Sequence, residues 1–210
     1  MRTLDWYFDF VSPFSYLQAE RFKDLPDDVE IAFHPVLLAG LLKHWESKGP
    51  AEIPAKRRFT YRHVQWYAQR RGIPFRMPPA HPFNPLPALR LAIALGSRRE
   101  PILEMFRFIW GDGRLIEDPV EWQILARKLG VADPEARVSA PEVKAGLREN
   151  TERAAAMGVF GVPSFVIDGN VFWGVDATDM LIDYLREPTL FDSPEMQRVS
   201  ELPVATERRR

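Results

Sequence analysis

The sequence predicts an α/β protein whose β elements lie toward its two ends and whose middle is a large all-α insertion. Three observations predict it. Strand, helix and strand patterns follow one another in the first 35 residues, apolar residues then recur at helical spacing for over a hundred residues, and a β-hairpin pattern returns near residue 165.

Residues 3 to 10, TLDWYFDF, are dense in aromatics and partly alternate, which marks a buried strand. Ser12-Pro13 stops it. Serine is a favoured helix N-cap and proline a favoured first helical residue, so a helix is expected from Pro13 to about Lys23, with Tyr16, Ala19 and Phe22 along one side. The segment from Val29 to Phe33 reads as a second strand, ended by His34-Pro35, and a helix between two such strands predicts that they run parallel. After Lys43 the pattern is helical. Phe59, His63, Trp66 and Tyr67 stand at i, i+4, i+7 and i+8, one stripe of a helix ending at Gly72, and Leu89, Ala92 and Ile93 mark another. Asp118-Pro119 with Glu121, and Ser139 with Glu142, read as capping-box starts of two more helices, the last closed by Gly158. PSFVID, a DGN turn and VFW then predict a hairpin, because Asp-Gly supplies the positive φ angles of a tight turn. Asp176 is expected to cap a final helix that includes Leu181, Ile182 and Leu185. Past Phe191 periodicity is lost, as in an appended or disordered tail. The expected organisation is a discontinuous domain of residues 1–43 and 159–190, a helical insertion of 44–158 and a tail of 191–210, with no internal repeat.

Composition narrows the function classes. A chain of 210 residues that is 46% apolar can build one domain with a sizeable insertion, and 12% aromatic content with a net charge of -1 excludes the disordered class. The absence of cysteine removes disulfide staples, zinc–thiolate sites, iron–sulfur clusters and any mechanism in which the protein supplies its own thiol. Sulfur chemistry here must use a borrowed thiol. His34, His44, His63 and His81 show no metal-site spacing, so no metal is predicted. Asp5 and Asp9 interrupt any signal-peptide core, no apolar run reaches the about 18 to 20 residues that span a bilayer, and the terminal ERRR carries no lipidation signal. A soluble cytoplasmic protein with no membrane partner is expected.

The small net charge hides an asymmetry. From Ile53 to Arg99 there is no Asp or Glu and there are ten Lys and Arg; the other 18 basic residues face 29 acids, so the segment is +10 and the remainder -11. Such a cationic region should draw small anions to one place. An extended nucleic acid would meet the acidic remainder too, so no nucleic-acid partner is expected.

Two local motifs bear on chemistry. Ser12 taken alone reads as a helix cap, since no GxSxG elbow surrounds it. Gly161-Val162-Pro163-Ser164 places a proline immediately before a strand; such a proline is either cis, leaving the preceding backbone exposed for pairing with an extended ligand, or simply marks the strand's start.

The ordered set DFVSPFSYL, HPVLLAGLLK, EIPAKRRF, GIPFRMPPAHPFN, GVFGVPSFVIDG and FWGVD resembles the 2-hydroxychromene-2-carboxylate isomerase family, within the DsbA-like and kappa-class glutathione transferase group, over about residues 3 to 187. The resemblance implies a thioredoxin-like fold with a helical insertion, glutathione as cofactor and a homodimer. It puts Ser12 where disulfide oxidoreductases carry the reactive cysteine, so that its hydroxyl would face the thiol of glutathione. Val162, before the structural cis-proline Pro163, would pair its backbone with the cysteinyl part. Trp173, Gly174, Val175 and Asp176 match the segment that holds the γ-glutamyl group, and Lys56 matches a lysine near glutathione. Lys43, Phe83 and Asn84 match the side that binds an anionic aromatic substrate. The chain departs from the pattern at Val175, where the kappa class has a hydroxyl, and near Ser47, where relatives often carry asparagine.

The implied activity is a glutathione-dependent cis-trans isomerisation that interconverts 2-hydroxychromene-2-carboxylate and trans-o-hydroxybenzylidenepyruvate, or a related intermediate of aromatic degradation. Two other readings stand beside it. One is a kappa-like transferase or peroxidase using the same site, and the other is a non-catalytic protein that binds a partner through the basic insertion.

Overall fold

The computed structural model describes residues 1–206. Four strands, β1 (Arg2–Phe8), β2 (Val29–Pro35), β3 (Ser164–Ile167) and β4 (Asn170–Trp173), make one sheet in the order β2-β1-β3-β4. β1 and β2 pair in parallel, with Tyr7 opposite His34, and the other two pairings are antiparallel. The parallel pair is the predicted strand–helix–strand unit. The returning hairpin turns through Asp168 (φ 50°) and Gly169 (φ 79°), the positive angles its Asp-Gly sequence demands.

Helix α1 (Pro13–Ala19) starts where Ser12 and Pro13 predict and ends four residues before Lys23. The chain leaves helical geometry at Arg21 (φ -97°, ψ 1°) and closes with a 3₁₀ turn at Phe22–Asp24. Helices α2 (Leu38–His44), α3 (Pro54–Arg71), α4 (Leu86–Ala94), α5 (Arg99–Phe106), α6 (Pro119–Lys128), α7 (Pro134–Ser139) and α8 (Pro141–Ala156) fill the chain between β2 and β3. A π-helical turn, Arg107–Gly111, continues α5. Helices α9 (Thr178–Arg186) and α10 (Pro194–Ser200) follow the hairpin.

Several local expectations differ from the structure. Ser139 ends α7 rather than capping α8, whose N-cap is Ala140 followed by Pro141. Asp176 lies one residue before the α9 N-cap, Ala177, and makes no capping bond. Of the α3 stripe, Phe59 and Trp66 face outward, 69% and 54% exposed, while Tyr67 packs against the larger core, because the helix buries the adjacent side through Val64 and Ala68. The segment past Phe191 is not wholly irregular: Ser193 caps α10 by accepting from the Met196 N–H. The rest of the tail reading reaches residues 207–210, which lie outside the described residues.

The alternation of β1 gives the sheet two buried faces. Leu4, Trp6 and Phe8 point into the larger core, where Trp6 stacks on Phe8 at 4.5 Å and Phe106 of α5 lies 4.7 Å from Phe10. Tyr7 points the other way, into a smaller core with Leu41 of α2 and Ala154 and Ala155 of α8. The helical segment thus shares both cores with the sheet, and burying aromatic rings on this scale supplies much of the hydrophobic stabilisation.

Candidate functional site

The candidate site sits at the β1–α1 loop. Ser12 is the α1 N-cap in extended geometry (φ -91°, ψ 113°), 6% exposed, and its hydroxyl oxygen accepts from the Ser15 N–H at 3.3 Å. Accepting leaves the hydroxyl proton free to be donated. Ser12 N–H donates to the Asp9 carbonyl at 3.1 Å and closes a tight turn. Pro13 has no N–H and the Ser15 amide is taken, so the Ser12 hydroxyl and the Phe14 N–H are the donors this helix start offers. Ser15, three residues on, is fully buried and its hydroxyl has no hydrogen-bond partner among the described residues.

Side chains distant in sequence hold this loop. The Asp9 carboxyl accepts from the Val11 N–H at 3.0 Å and the Leu38 N–H at 2.9 Å, which ties the loop to α2. Complete burial pushes its pKa up to about 7, against the two amide bonds that favour the charged form. Trp110, in the π turn, donates its indole N–H to the Phe10 carbonyl at 2.9 Å. His81 Nε2 lies 2.8 Å from the Val11 carbonyl, an acceptor, so Nε2 carries the proton and donates. The Tyr61 hydroxyl lies 2.7 Å from His81 Nδ1 and 2.8 Å from its carbonyl oxygen, so a neutral imidazole shares that one proton. Burial holds the His81 pKa below the usual histidine range and keeps the ring neutral.

The second half of the site comes from the hairpin. Val162–Pro163 is a cis peptide, as is His81–Pro82. The β1/β3 ladder reaches only to Ser164, so the Val162 backbone lies outside it. Gly174 N–H donates to the Pro163 carbonyl at 2.8 Å, joining the cis-proline to the 173–176 segment. Gly174 has φ 92°, and an added Cβ would lie 2.5 Å from Asp176 Oδ1, so glycine is required there. Trp173 is half exposed and rests on Phe160, with Gly161 beneath: a Cβ at Gly161 would lie 2.6 Å from the indole nitrogen. Val175 is buried, and Asp176 is exposed with no hydrogen-bond partner among the described residues.

Gln18 bridges the two halves. Its amide oxygen accepts from the Trp6 indole N–H at 2.7 Å, and its nitrogen donates to the Gly174 carbonyl at 3.0 Å and the Thr178 hydroxyl at 3.3 Å. Arg21, nearly buried, adds a bond to the Val175 carbonyl at 3.2 Å and an ion pair with Asp179. Ser12, Val162, Pro163 and the 173–176 segment therefore stand on one hydrogen-bonded frame. Lys43, at the end of α2, and Lys56, in the first turn of α3, are exposed, and no hydrogen bond among the described residues ties either to that frame. Phe83 is a core ring, 6.0 Å from both His81 and Trp110, while the exposed Asn84 caps its own turn by accepting from the Leu86 N–H. Ser47 is exposed and follows α2.

The sequence reading missed Asp9, Gln18, His81 and Trp110. Two left a signal: an aspartate amid TLDWYFDF is a poor strand-core residue, and His81-Pro82 sits among closely spaced prolines. Among the described residues no group of acids and histidines could hold a metal, and no helix is long and apolar enough to cross a membrane.

A cis-proline before β3 and a serine-capped helix start after its neighbour β1, on one four-stranded sheet, define a thioredoxin-like frame. The model of the DsbA-like thioredoxin domain matches residues 3–186, and the chain belongs to that family. Among its relatives, glutathione S-transferase kappa 2 of Caenorhabditis elegans is 29% identical over 89% of this chain and 93% of its own length. A 2-hydroxychromene-2-carboxylate isomerase of Sphingobium xenophagum is 28% identical, over 89% and 99% respectively. A solved 2-hydroxychromene-2-carboxylate isomerase superposes with a TM-score of 0.77 over 90% of this chain and 97% of that one, at 24% identity, and shares the fold. The chain is thus related to isomerases and to glutathione transferases.

Proposed function

We propose that the protein is a glutathione-dependent cis-trans isomerase acting on an unsaturated aromatic carboxylate, of the 2-hydroxychromene-2-carboxylate type. The observation that carries the reading is Ser12: a hydroxyl with an uncommitted proton, on a helix start that follows β1, the strand paired with the β3 that a cis-proline precedes, in a chain without cysteine. The residues present fit glutathione. Ser12 would donate to its sulfur, the Val162 backbone outside the ladder would pair with its cysteinyl unit, and Trp173, Gly174, Val175 and the unpartnered Asp176 would hold its γ-glutamyl end. When bound, glutathione supplies a thiolate that adds reversibly to a conjugated carbon, so that a double bond becomes free to rotate, and leaves unchanged.

Magnitudes show what the chain must contribute. A thiol of pKa about 8.5 is about 3% ionised at pH 7; lowering it by two, about 2.7 kcal/mol, makes it roughly three-quarters thiolate. Lost nucleophilicity, with a Brønsted slope of about 0.4 to 0.5, returns roughly six- to tenfold of that gain. The net advantage of Ser12 in the ground state is several-fold, so positioning the substrate and stabilising its developing charge carry most of the rate. Lys43 and Asn84 would take the substrate's carboxylate side with Phe83 behind them, and Lys56, in the acid-free segment, would attract glutathione's glycyl carboxylate. We further infer a homodimer working in the cytoplasm, where glutathione is plentiful.

The kappa-class relatives favour a second reading, conjugation or peroxide reduction at the same site. Product analysis separates the two. Incubation with glutathione and 2-hydroxychromene-2-carboxylate is expected to give the open-chain isomer with glutathione undiminished; a stable adduct or oxidised glutathione supports the second reading. Neither product, with no rise in melting temperature at millimolar glutathione, moves the chain to a non-catalytic role for its basic insertion.

A further inference from the structure

A cavity lies among the helices of the middle segment. It encloses about 350 Å³ between α2, α4 and α8, at the lower end of the about 300–1,000 Å³ range of small-molecule clefts. Each helix gives it one stripe: Gly40 and His44 from α2 with its N-cap Leu37, Leu86 and Arg90 from α4, and Lys144 to Ala155 at i, i+3, i+4, i+7, i+8 and i+11 from α8. None of these residues belongs to the candidate thiol site. Gly40 sets the close approach of α2 and α8, since a Cβ there would lie 2.9 Å from Thr151 Cγ2.

Its chemistry is unusual for a helix junction. Its apolar lining is Leu37, Leu86, Leu147 and Ala155, and its charged lining is the half-buried Arg90 with the exposed Lys144 and Arg148 against the single acid Glu152. Glu152 lies 3.9 Å from Arg148, an exposed pair that leaves Arg90 and Lys144 uncompensated. Arg90 Nε is buried and has no hydrogen-bond partner among the described residues. Nε lies out of reach of a ligand, but a guanidinium cannot shed its charge, and the terminal nitrogens of Arg90 make no hydrogen bond or ion pair among the described residues, so they are the donors it offers the cavity.

We propose that this cavity is a binding site for a small organic carboxylate with an apolar body, its oxygens on Arg90 and Lys144 and its hydrocarbon part on the leucine lining. The apolar lining disfavours free inorganic anions, which have nothing to place there. The cavity shares no lining residue with the candidate thiol site, and the proposal does not depend on the isomerase reading.

Isothermal titration calorimetry with benzoate as the probe tests it, with sulfate and phosphate as controls and with glutathione absent or saturating. Saturable benzoate binding is expected, unchanged by glutathione and by Ser12→Ala, and weakened about tenfold or more by Arg90→Met and by Lys144→Gln, each of which removes a charge-assisted bond. Circular dichroism of both variants establishes that they fold. No saturable binding would overturn the proposal, as would equal binding of sulfate, binding indifferent to both substitutions, or binding lost in Ser12→Ala. The last result would place benzoate at the thiol site instead.

Discussion

Ser12 and Asp176 do different work at the residue scale, and substitution separates them. Ser12 caps α1 and offers a proton, so Ser12→Ala costs about 1 kcal/mol of stability from the cap alone. Asp176 caps nothing. Asp176→Asn is therefore expected to leave the melting temperature unchanged while raising KM for glutathione about tenfold, through loss of a charge-assisted contact; an unchanged KM in steady-state assays would free Asp176 from the glutathione reading. The cap at Ser12 was legible because it depends on Ser12-Pro13 alone, a local rule. Asp176 was read as a cap by the same rule and is not one, because the Thr178 hydroxyl bonds the Val175 carbonyl and the helix begins one residue later.

Among the elements, the frame that joins α1 to the hairpin turns on Gln18. Gln18→Leu keeps the volume but leaves the buried Trp6 N–H and the Gly174 carbonyl unpaired, a cost of about 1–3 kcal/mol. Urea unfolding should show that loss, and glutathione affinity should fall with it because the 174–178 segment loses its tie to the serine helix; stability lost with affinity intact would mean that the bridge serves folding alone. Strands and long helices were readable from period and turn chemistry, as with the Asp168-Gly169 hairpin. The face of α3 was not. The aromatic stripe of Phe59, His63, Trp66 and Tyr67 looks like a core stripe, but the helix meets the molecule through small Val64 and Ala68 with only Tyr67 of that stripe packed on the larger core, and only the tertiary neighbours decide which side is covered.

For the whole molecule, buried titratable groups set a pH dependence. The Asp9 pKa, raised by burial to about 7 from an ordinary carboxylate value, means that the folded state holds a proton the unfolded chain releases. Its contribution to stability is therefore greatest below about pH 4 and declines by about 1.4 kcal/mol per pH unit until about pH 7. His34 and His81, both lowered by burial, act oppositely and lose stability as pH falls below the ordinary histidine range. Wild-type stability minus that of Asp9→Asn isolates the aspartate: this signed difference should fall as pH rises from 4 to 7 in urea unfolding, and a flat difference would show an Asp9 that is already ionised. The sequence marked Asp9 and His81 as unusual but not what they touch. The Asp9, His81 and Trp110 contacts span 29, 70 and 100 residues, and only the folded chain brings those groups to one loop.

The central claim, that this cysteine-free chain holds another molecule's thiol at Ser12, is tested most directly by the ionisation of bound glutathione. Ultraviolet difference absorbance of the thiolate, followed against pH in wild type and Ser12→Ala at saturating glutathione, should place the thiol's pKa well below about 8.5 in the wild type and nearer that value in the variant. The same pKa in both proteins would contradict the claim and leave Ser12 a helix cap only.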